Sequence, residues 1–309
     1  MPQSSSSLRL GTRGSKLART QAGMVAGALE ERGIACEIVP VKTTGDRILD
    51  RSLADAGGKG LFTKELEEAL LSGAIDLAVH SMKDVPTALP GGLAIAVILP
   101  REDPSDAFIA KRARALSELP AGARVGTSSV RRRAQLLRVR PDLECLPLRG
   151  NVDTRLAKLE AGEMDAILLA MAGLKRLGLA GHVTSILNPE EWLPSLAQGA
   201  VGIEIRQSDT KTASLIAALN DEAAATELAC ERAFQAALDG SCRTPIAGLA
   251  RLDGRRLCFR GEVIAPDGRD FAATSFRIEL GGDPKQDAAR AGRDAGIALR
   301  PRAVRWLSE

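Results

Sequence analysis

Apolar runs of strand length alternate with helix-length amphipathic patterns over the first two-thirds of this 309-residue chain. Residues 8–11 and 37–41 predict strands, and residues 17–32 between them predict a helix that ends at Gly33. Further along, residues 77–79 predict a short buried strand. Alternation of this kind favours mostly parallel sheets with helices on both faces.

Two breaks interrupt the alternation and indicate how the chain is divided. Residues 100–104 and 188–194 each combine prolines with charged side chains, which is typical of linkers. A predicted strand at 200–205 follows the second break, so we expect the chain to cross to a second lobe and return. The pattern thus predicts one lobe at 1–100 and 199–219 and another at 104–194.

The character of the sequence changes after residue 221. An alanine-rich helix is predicted at 222–238 and a closing helix at 284–299. Between them lie three predicted strands, at 246–252, 256–264 and 274–280, separated by Asp-Gly pairs that favour hairpin turns. We therefore expect a small C-terminal α+β domain with an antiparallel three-stranded sheet at 221–309.

Composition argues against several classes of function. The net charge is only +3, and six Phe, two Trp and no Tyr are few for base stacking or a membrane interface. No apolar run reaches the length of a membrane span, and the polar N-terminus lacks a signal peptide's apolar core. Five scattered cysteines favour free thiols in a reducing compartment, and two histidines argue against a histidine metal site. We expect a cytoplasmic monomer with no metal, membrane or nucleic-acid partner.

Arginine is concentrated where predicted strands end and helices begin. Arg13, Arg131 with Arg132, and Arg149 with Arg155 lie at three such junctions. A cation in the first turn of a helix costs roughly 0.3–1 kcal/mol, whereas the free amides there hold anions. A bound ligand with several negative groups would satisfy both, although solvated helix faces with scattered ion pairs would show the same residues.

A polar segment follows the predicted strand at 77–79. Asp84 in this segment is either a carboxylate that acts as acid, base or cation stabiliser in a cleft, or the partner of Lys83 in a local ion pair. His80 is expected to be a hydrogen-bonded core residue rather than a catalyst.

Two glycine-containing loops complete the set of candidates. Cys242 lies beside Arg243 on such a loop, which makes it a candidate nucleophile or attachment point. The run 57–60 lacks the spacing of a phosphate loop and is expected to be a mobile lid or a plain turn.

Eight short segments form an ordered set between residues 12 and 245. They are 12–15 (TRGS), 57–62 (GGKGLF), 79–86 (VHSMKDVP), 125–132 (VGTSSVRR), 148–155 (LRGNVDTR), 172–177 (AGLKRL), 198–200 (QGA) and the loop around Cys242. In this order and combination they resemble the porphobilinogen deaminase family, also called hydroxymethylbilane synthase.

The resemblance implies a fold and a reaction. It implies two lobes similar to periplasmic binding proteins and a third domain that carries the cysteine. It implies a transferase of tetrapyrrole synthesis that joins four porphobilinogen molecules head to tail into hydroxymethylbilane and releases ammonia. It also implies a covalent dipyrromethane cofactor, held by a thioether to Cys242, that primes the chain. The substrate carries acetate and propionate groups, which fits the concentration of arginine.

The resemblance also assigns roles to residues, with Asp84 as the catalytic carboxylate. The residues that match cofactor-binding positions are Ser81, Lys83, Asp84, Thr127, Ser128, Ser129, Arg131, Arg132, Gly150 and Cys242. The residues that match substrate-binding positions are Arg13, Ser15, Lys59, Phe62, Arg149, Arg155, Arg176 and Gln198.

Two positions depart from the family pattern, and two other functions remain open. Asp55 stands where some members carry lysine, and Ser241 replaces the glycine often found before the cysteine. A two-lobed binding protein for a small polycarboxylate would need neither Asp84 nor a modified Cys242. A nucleic-acid binder that uses residues 131–133 is disfavoured by the near-neutral charge.

Overall fold

The structure, a computed structural model, describes residues 7–44, 60–238 and 244–307. The described residues form two compact units, one within Met1–Arg101 and Ala200–Ala225 and the other within Glu102–Gly199 and Thr226–Glu309. The chain therefore passes between the units near the first predicted linker, again just after the second, and a third time between Ala225 and Thr226. A boundary between the second lobe and a separate C-terminal domain stays a prediction.

The first unit is built on a five-stranded sheet with the strand order β2-β1-β3-β10-β4. Its strands are β1 (Leu8–Arg13), β2 (Cys36–Val41), β3 (Leu77–Ser81), β4 (Leu93–Ile98) and β10 (Val201–Arg206). Its helices are α1 (Lys16–Glu30), α2 (Lys64–Leu71) and α6 (Thr210–Ile216). The main core lies between this sheet and α1, where Val25 and Leu29 are fully buried against Leu10 and Leu77.

The second unit contains a sheet of the same design, with the strand order β7-β6-β8-β5-β9. Its strands are β5 (Asp106–Ala110), β6 (Arg124–Gly126), β7 (Glu144–Leu146), β8 (Ala166–Ala170) and β9 (Ser185–Ile186). Its helices are α3 (Val130–Val139), α4 (Val152–Glu160) and α5 (Met171–Arg176).

In each sheet one strand runs against its neighbours. This strand is β10 in the first unit and β5 in the second. β5 is the first strand after the chain enters the second unit, and β10 is the first strand after it returns to the first unit. The neighbouring pairs β1–β2, β1–β3, β6–β7 and β6–β8 are parallel. The expected fold class, two lobes with mostly parallel sheets, is confirmed.

The C-terminal part of the second unit has the expected antiparallel sheet. Its elements are α7 (Glu222–Ala237), of which residues 222–225 belong to the first unit, β11 (Ile246–Asp253), β12 (Arg256–Ile264), β13 (Phe271–Glu279) and α8 (Pro284–Ala303). Leu257 and Phe259 are buried on one face of β12, where the Phe259 ring meets that of Phe234 edge to face at 4.9 Å. Strand β13 begins earlier than predicted, because the turn around Gly268 closes the hairpin before Phe271. None of the helices in the described ranges is long and apolar enough to cross a membrane.

The close approach of α8 to α7 gives a test of the packing. A methyl group added at Gly292 would lie 2.1 Å from the carbonyl oxygen of Cys230, and that backbone atom cannot rotate away. Gly292→Ala should therefore lower the free energy of unfolding by about 1–3 kcal/mol. In α1 a methyl group added at Gly23 meets no atom within 4 Å, so Gly23→Ala should raise the same quantity by up to about 1 kcal/mol. Urea unfolding followed by circular dichroism measures both changes, and effects of equal sign would contradict this packing.

Candidate active site

In the first unit, two parallel strands end at the same edge of the sheet. Arg13 is the last residue of β1 and Ser81 the last of β3. After β1, Ser15 caps α1, and its Oγ accepts a hydrogen bond from the amide of Ala18 at 3.3 Å. After β3, Met82–Asp84 forms a single 3₁₀ turn. The fold therefore gathers the two N-terminal motifs that the sequence singles out.

A small cavity of about 60 Å³ opens at this edge. Its lining includes Arg13, Ser15, Gln21, Phe62, Ser81 and Asp84. The guanidinium carbon of Arg13 lies 3.9 Å from the centre of the Phe62 ring, which is a cation–π contact. The Gln21 side chain donates to Ser81 Oγ at 2.9 Å. Among the described residues that line this cavity, the half-buried Asp84 carries the one carboxylate.

His80 also borders the cavity, but its imidazole ring is in contact with a buried carboxylate of the core. Its Nε2 lies 2.9 Å from Oε2 of Glu204 on β10, and both side chains are buried. The expectation of a hydrogen-bonded core histidine is confirmed. Glu67 on α2 lies near this pair, and burial raises the pKa of its carboxyl group. A buried polar pair of this kind fixes the end of β3, on which Ser81 and Asp84 depend.

In the second unit, the loops after β6 and β7 are joined by side-chain hydrogen bonds. Ser128 Oγ donates to the carbonyl oxygen of Leu148 at 2.8 Å. Ser129 caps α3, and its Oγ accepts from the amide of Arg132 at 3.3 Å. Asn151 caps α4 by accepting from the amide of Thr154 at 2.9 Å. Both helix N-termini are therefore presented at one edge of the second sheet.

Gly150 allows the turn between Arg149 and α4. Its φ of +104° lies in the region that favours glycine, and an added methyl group would come 2.7 Å from Cγ2 of Thr154. The carbonyl oxygen of Gly150 accepts a hydrogen bond from Nε of Arg155 at 2.8 Å. Arg155 is the fourth residue of α4, and the first turn carries Asp153 instead. The cations at this junction therefore flank the first helical turn rather than occupy it.

Arg131 and Arg132 do lie in the first turn of α3, and both side chains are buried. Nη1 of Arg131 donates to Oδ2 of Asp106 at 2.8 Å, and Nη2 of Arg132 donates to Oδ1 at 2.7 Å. Burial alone would raise the pKa of Asp106, but the two guanidinium groups outweigh it and hold that pKa far below its usual range. The pair is thus fixed by an internal carboxylate that the sequence does not single out.

The remaining hydrogen-bonding capacity of these arginines fits an acidic ligand. Among the described residues, the buried Nε atoms of Arg131, Arg132 and Arg176 have no hydrogen-bond partner. Guanidinium groups bind carboxylates with charge-assisted hydrogen bonds. The acetate and propionate groups of linked pyrroles supply carboxylates, so the donor set matches a dipyrromethane.

Arg176 and Gln198 have protein partners in the second unit. Gln198 is 1% exposed, and its Nε2 donates to the carbonyl oxygen of Pro104 at 2.7 Å and to Oδ1 of Asp106 at 2.8 Å. Arg176 Nη2 donates to the carbonyl oxygen of Gly199 at 2.6 Å. These contacts hold the segment that ends at Gly199, and the expected contact of both side chains with substrate stays a prediction.

Some expected residues lie outside the described ranges, and some contributing residues were missed. Lys59 and Cys242, and with them Asp55 and Ser241, fall at positions that the structure does not describe. Asp106 was missed because it follows directly on the predicted linker. The adjacent arginines could have indicated such a partner, because two arginines on one short helix need a carboxylate if they are buried. Within the described ranges, no cluster of three or more His, Cys, Asp or Glu residues could hold a metal ion.

Comparison with known protein families identifies the family of this chain. The profile described as "Porphobilinogen deaminase, dipyromethane cofactor binding domain" matches residues 8–214. The profile described as "Porphobilinogen deaminase, C-terminal domain" matches residues 225–300. The chain belongs to the porphobilinogen deaminase family. This family polymerises porphobilinogen in tetrapyrrole biosynthesis and carries a dipyrromethane cofactor, so the expected transferase activity and cofactor are confirmed.

Curated relatives agree over nearly the whole chain. Porphobilinogen deaminase of Paracoccus denitrificans (strain Pd 1222) is 52% identical over 307 residues, which is 98% of this chain and 96% of that protein. Porphobilinogen deaminase of Nitrobacter hamburgensis (strain DSM 10229 / NCIMB 13809 / X14) is 52% identical over 298 residues, which is 95% of this chain and 93% of that protein.

Solved structures of binding proteins are similar in fold alone. The methionine binding protein MetQ has a TM-score of 0.45 and 14% identity, covering 69% of this chain and 89% of that one. A periplasmic substrate-binding protein from Coxiella burnetii has a TM-score of 0.44 and 15% identity, covering 70% and 93%.

The turn at Gly150 gives a test of the second unit's edge. Gly150→Ala introduces a clash with Thr154 and displaces the backbone between Arg149 and Arg155, so kcat/KM should fall about 10- to 100-fold. Gly162 is a matched control, because it also has a positive φ (+74°) but no atom lies within 4 Å of an added methyl group. Gly162→Ala should lose stability through strain and keep its kcat/KM. Equal kcat/KM in the two variants would show that the Gly150 turn positions nothing in the site.

Proposed function

We propose that this chain polymerises porphobilinogen with Asp84 as its catalytic group. The observation that carries the proposal is the place of Asp84, the one carboxylate among the described lining residues of a cavity that also holds Arg13 and Ser15. A single carboxylate near the guanidinium group of Arg13 suits a substrate that has acidic arms and a reacting centre that becomes positive.

The reaction determines what Asp84 has to do. The amino group of porphobilinogen leaves as ammonia, and the remaining pyrrole becomes cationic. The carboxylate oxygens of Asp84 accept hydrogen bonds from pyrrole N–H groups and stabilise this positive charge. A carbon–carbon bond then joins the methylene carbon to the free ring carbon of the terminal pyrrole, and the proton lost from that ring carbon needs an acceptor. A preorganised carboxylate performs both tasks.

The cationic and hydroxyl side chains of the family motifs are proposed to bind the acidic arms. When bound, the dipyrromethane supplies the terminal pyrrole carbon to which the first substrate is added. The proposed cofactor-binding residues are Ser81, Lys83, Asp84, Thr127, Ser128, Ser129, Arg131, Arg132 and Gly150. The proposed substrate-binding residues are Arg13, Ser15, Lys59, Phe62, Arg149 and Arg155. Arg176 and Gln198, whose described hydrogen bonds go to the protein, are proposed to bind substrate as well.

Cys242 is the proposed attachment point of the cofactor. Attack by a cysteine requires the thiolate, which burial disfavours. Burial raises the pKa of Cys36 to about 11 and also raises the pKa of Cys145 and of Cys230. These three thiols are therefore poor nucleophiles, whereas Cys242 belongs to the family motif and stands beside Arg243 in the sequence.

The proposed partners, cellular compartment and oligomeric state follow from the composition of the chain. The near-neutral net charge of +3 supports a small-molecule substrate and no nucleic-acid partner. Scattered cysteines support a reducing compartment, the cytoplasm. No feature of the sequence demands an assembly, so the chain is proposed to work as a monomer.

Intact mass tests the attachment. The purified protein should weigh more than its sequence by two linked pyrrole units, because the cofactor is covalent. Cys242→Ser should have the mass of the polypeptide alone and no activity, whereas Cys258→Ser, the control, should keep the added mass. Added mass on the Cys242→Ser variant would refute attachment at this residue.

Removal of the carboxylate tests the catalytic role. Asp84→Asn keeps the size of the side chain and should lower kcat at least about 100-fold, because both charge stabilisation and proton acceptance are lost. The thermal unfolding midpoint and the added mass should stay close to those of the wild type. Glu68→Gln, an exposed change on α2, is the control and should keep its kcat. Ammonia release by Asp84→Asn at the wild-type rate would exclude Asp84 as the catalytic group.

A further inference from the structure

Asp106 binds side chains from separate segments of the second unit, and it is fully buried. Besides the two arginines of α3, the indole Nε1 of Trp192 donates to its Oδ2 at 2.9 Å, and Nε2 of Gln198 donates to its Oδ1 at 2.8 Å. Each carboxylate oxygen therefore accepts one hydrogen bond from a guanidinium group and one from a neutral donor.

This carboxylate determines the conformation of the arginine pair. Successive residues of a helix point about 100° apart, so Arg131 and Arg132 reach one carboxylate only when both side chains turn toward it. Arg131 Nη1 also donates to Oε1 of Gln135 at 2.8 Å, and Arg132 Nη1 to the carbonyl oxygen of Leu168 at 3.0 Å. With these atoms bound internally, the buried Nε atoms are left for a ligand.

The cluster also has a defined charge. Glu262 on β12 accepts from Arg138 at 2.8 Å and from Gln135 at 3.2 Å, which links it to Arg131 through Gln135. Three guanidinium groups face two carboxylates, so the cluster carries one positive charge beyond what it neutralises. One carboxylate of a ligand balances that charge.

We propose that Asp106 is a positioning residue that orients Arg131 and Arg132 to bind one carboxylate of the dipyrromethane. This inference rests on the proposed role of the two arginines in binding the cofactor. Asp106 itself contacts neither cofactor nor substrate and acts through the guanidinium groups. Removal of the Asp106 carboxylate has two opposing effects on cofactor binding. The cluster becomes more positive and attracts acidic groups more strongly, but the misplaced guanidinium groups bind those acidic groups poorly.

The share of purified chains that carry the added mass, and the rate at which unloaded chains gain it from porphobilinogen, measure loading directly. Asp106→Asn keeps the shape and removes the charge, and loading should be about tenfold slower, the effect of one weakened charge-assisted hydrogen bond. Asp76→Asn is the matched control, because Asp76 in the first unit also binds two arginines, Arg9 at 2.7 Å and Arg206 at 3.5 Å. It should lower the unfolding midpoint and load at the wild-type rate. Loading by Asp106→Asn at or above that rate would overturn the proposal.

A second variant covers the case in which Asp106→Asn does not fold. Asp106→Glu keeps the charge balance and displaces the carboxylate by one methylene group, so it should fold and still load about tenfold more slowly than wild type. Wild-type loading by this variant would equally overturn the proposal. Replacing both arginines, Arg131→Leu with Arg132→Leu, separates this outcome from failure of the proposed function: if that variant loads normally, the arginines do not bind the cofactor, whatever Asp106 does.

Discussion

Two buried guanidinium groups are stable in this chain because one buried carboxylate binds both. A buried ion pair that loses one partner is destabilised by about 3–5 kcal/mol, since an uncompensated charge remains in the interior. Asp106 provides that partner for Arg131 and Arg132 and also binds the segment that contains Trp192 and Gln198. Strand β5, helix α3 and the returning chain therefore depend on one another through a single side chain.

The similar arrangement of the two sheets explains why side chains that can bind acidic groups occur at similar places in both units. The three parallel neighbours β2-β1-β3 of the first sheet correspond to β7-β6-β8 of the second, and in both sheets these strands end at one edge where the next helix begins. Arg13 ends β1 and Ser15 caps α1, while Ser129 caps α3 and Arg131 lies in its first turn, so a hydroxyl cap and a cation occur at the same edge of each sheet. A polyanionic chain of linked pyrroles requires donors of this kind in number rather than one specific contact.

Periodicity and turn residues were sufficient to predict many of the elements, and family motifs supplied the candidate residues. The strand at 37–41, the helix at 222–238 and the antiparallel sheet agree with the structure within a few residues. The destination of each side chain was harder to predict, because it depends on residues distant in sequence. Arg131 meets an aspartate 25 positions away, and Gln198 meets the same aspartate from 92 positions away. Helix caps are local, so a strand–Ser–helix pattern was readable, whereas a buried charge network was not.

Cofactor binding depends on carboxylates of the pyrroles reaching the arginines that the fold has fixed. A crystal structure of the enzyme carrying its covalent group tests this most directly. It should show a carboxylate oxygen of the cofactor within about 3 Å of Nε of Arg131 or Arg132. The same guanidinium group should keep its hydrogen bond to the carboxylate of Asp106. Carboxylates that point into solvent while both Nε atoms stay without a ligand would contradict the account.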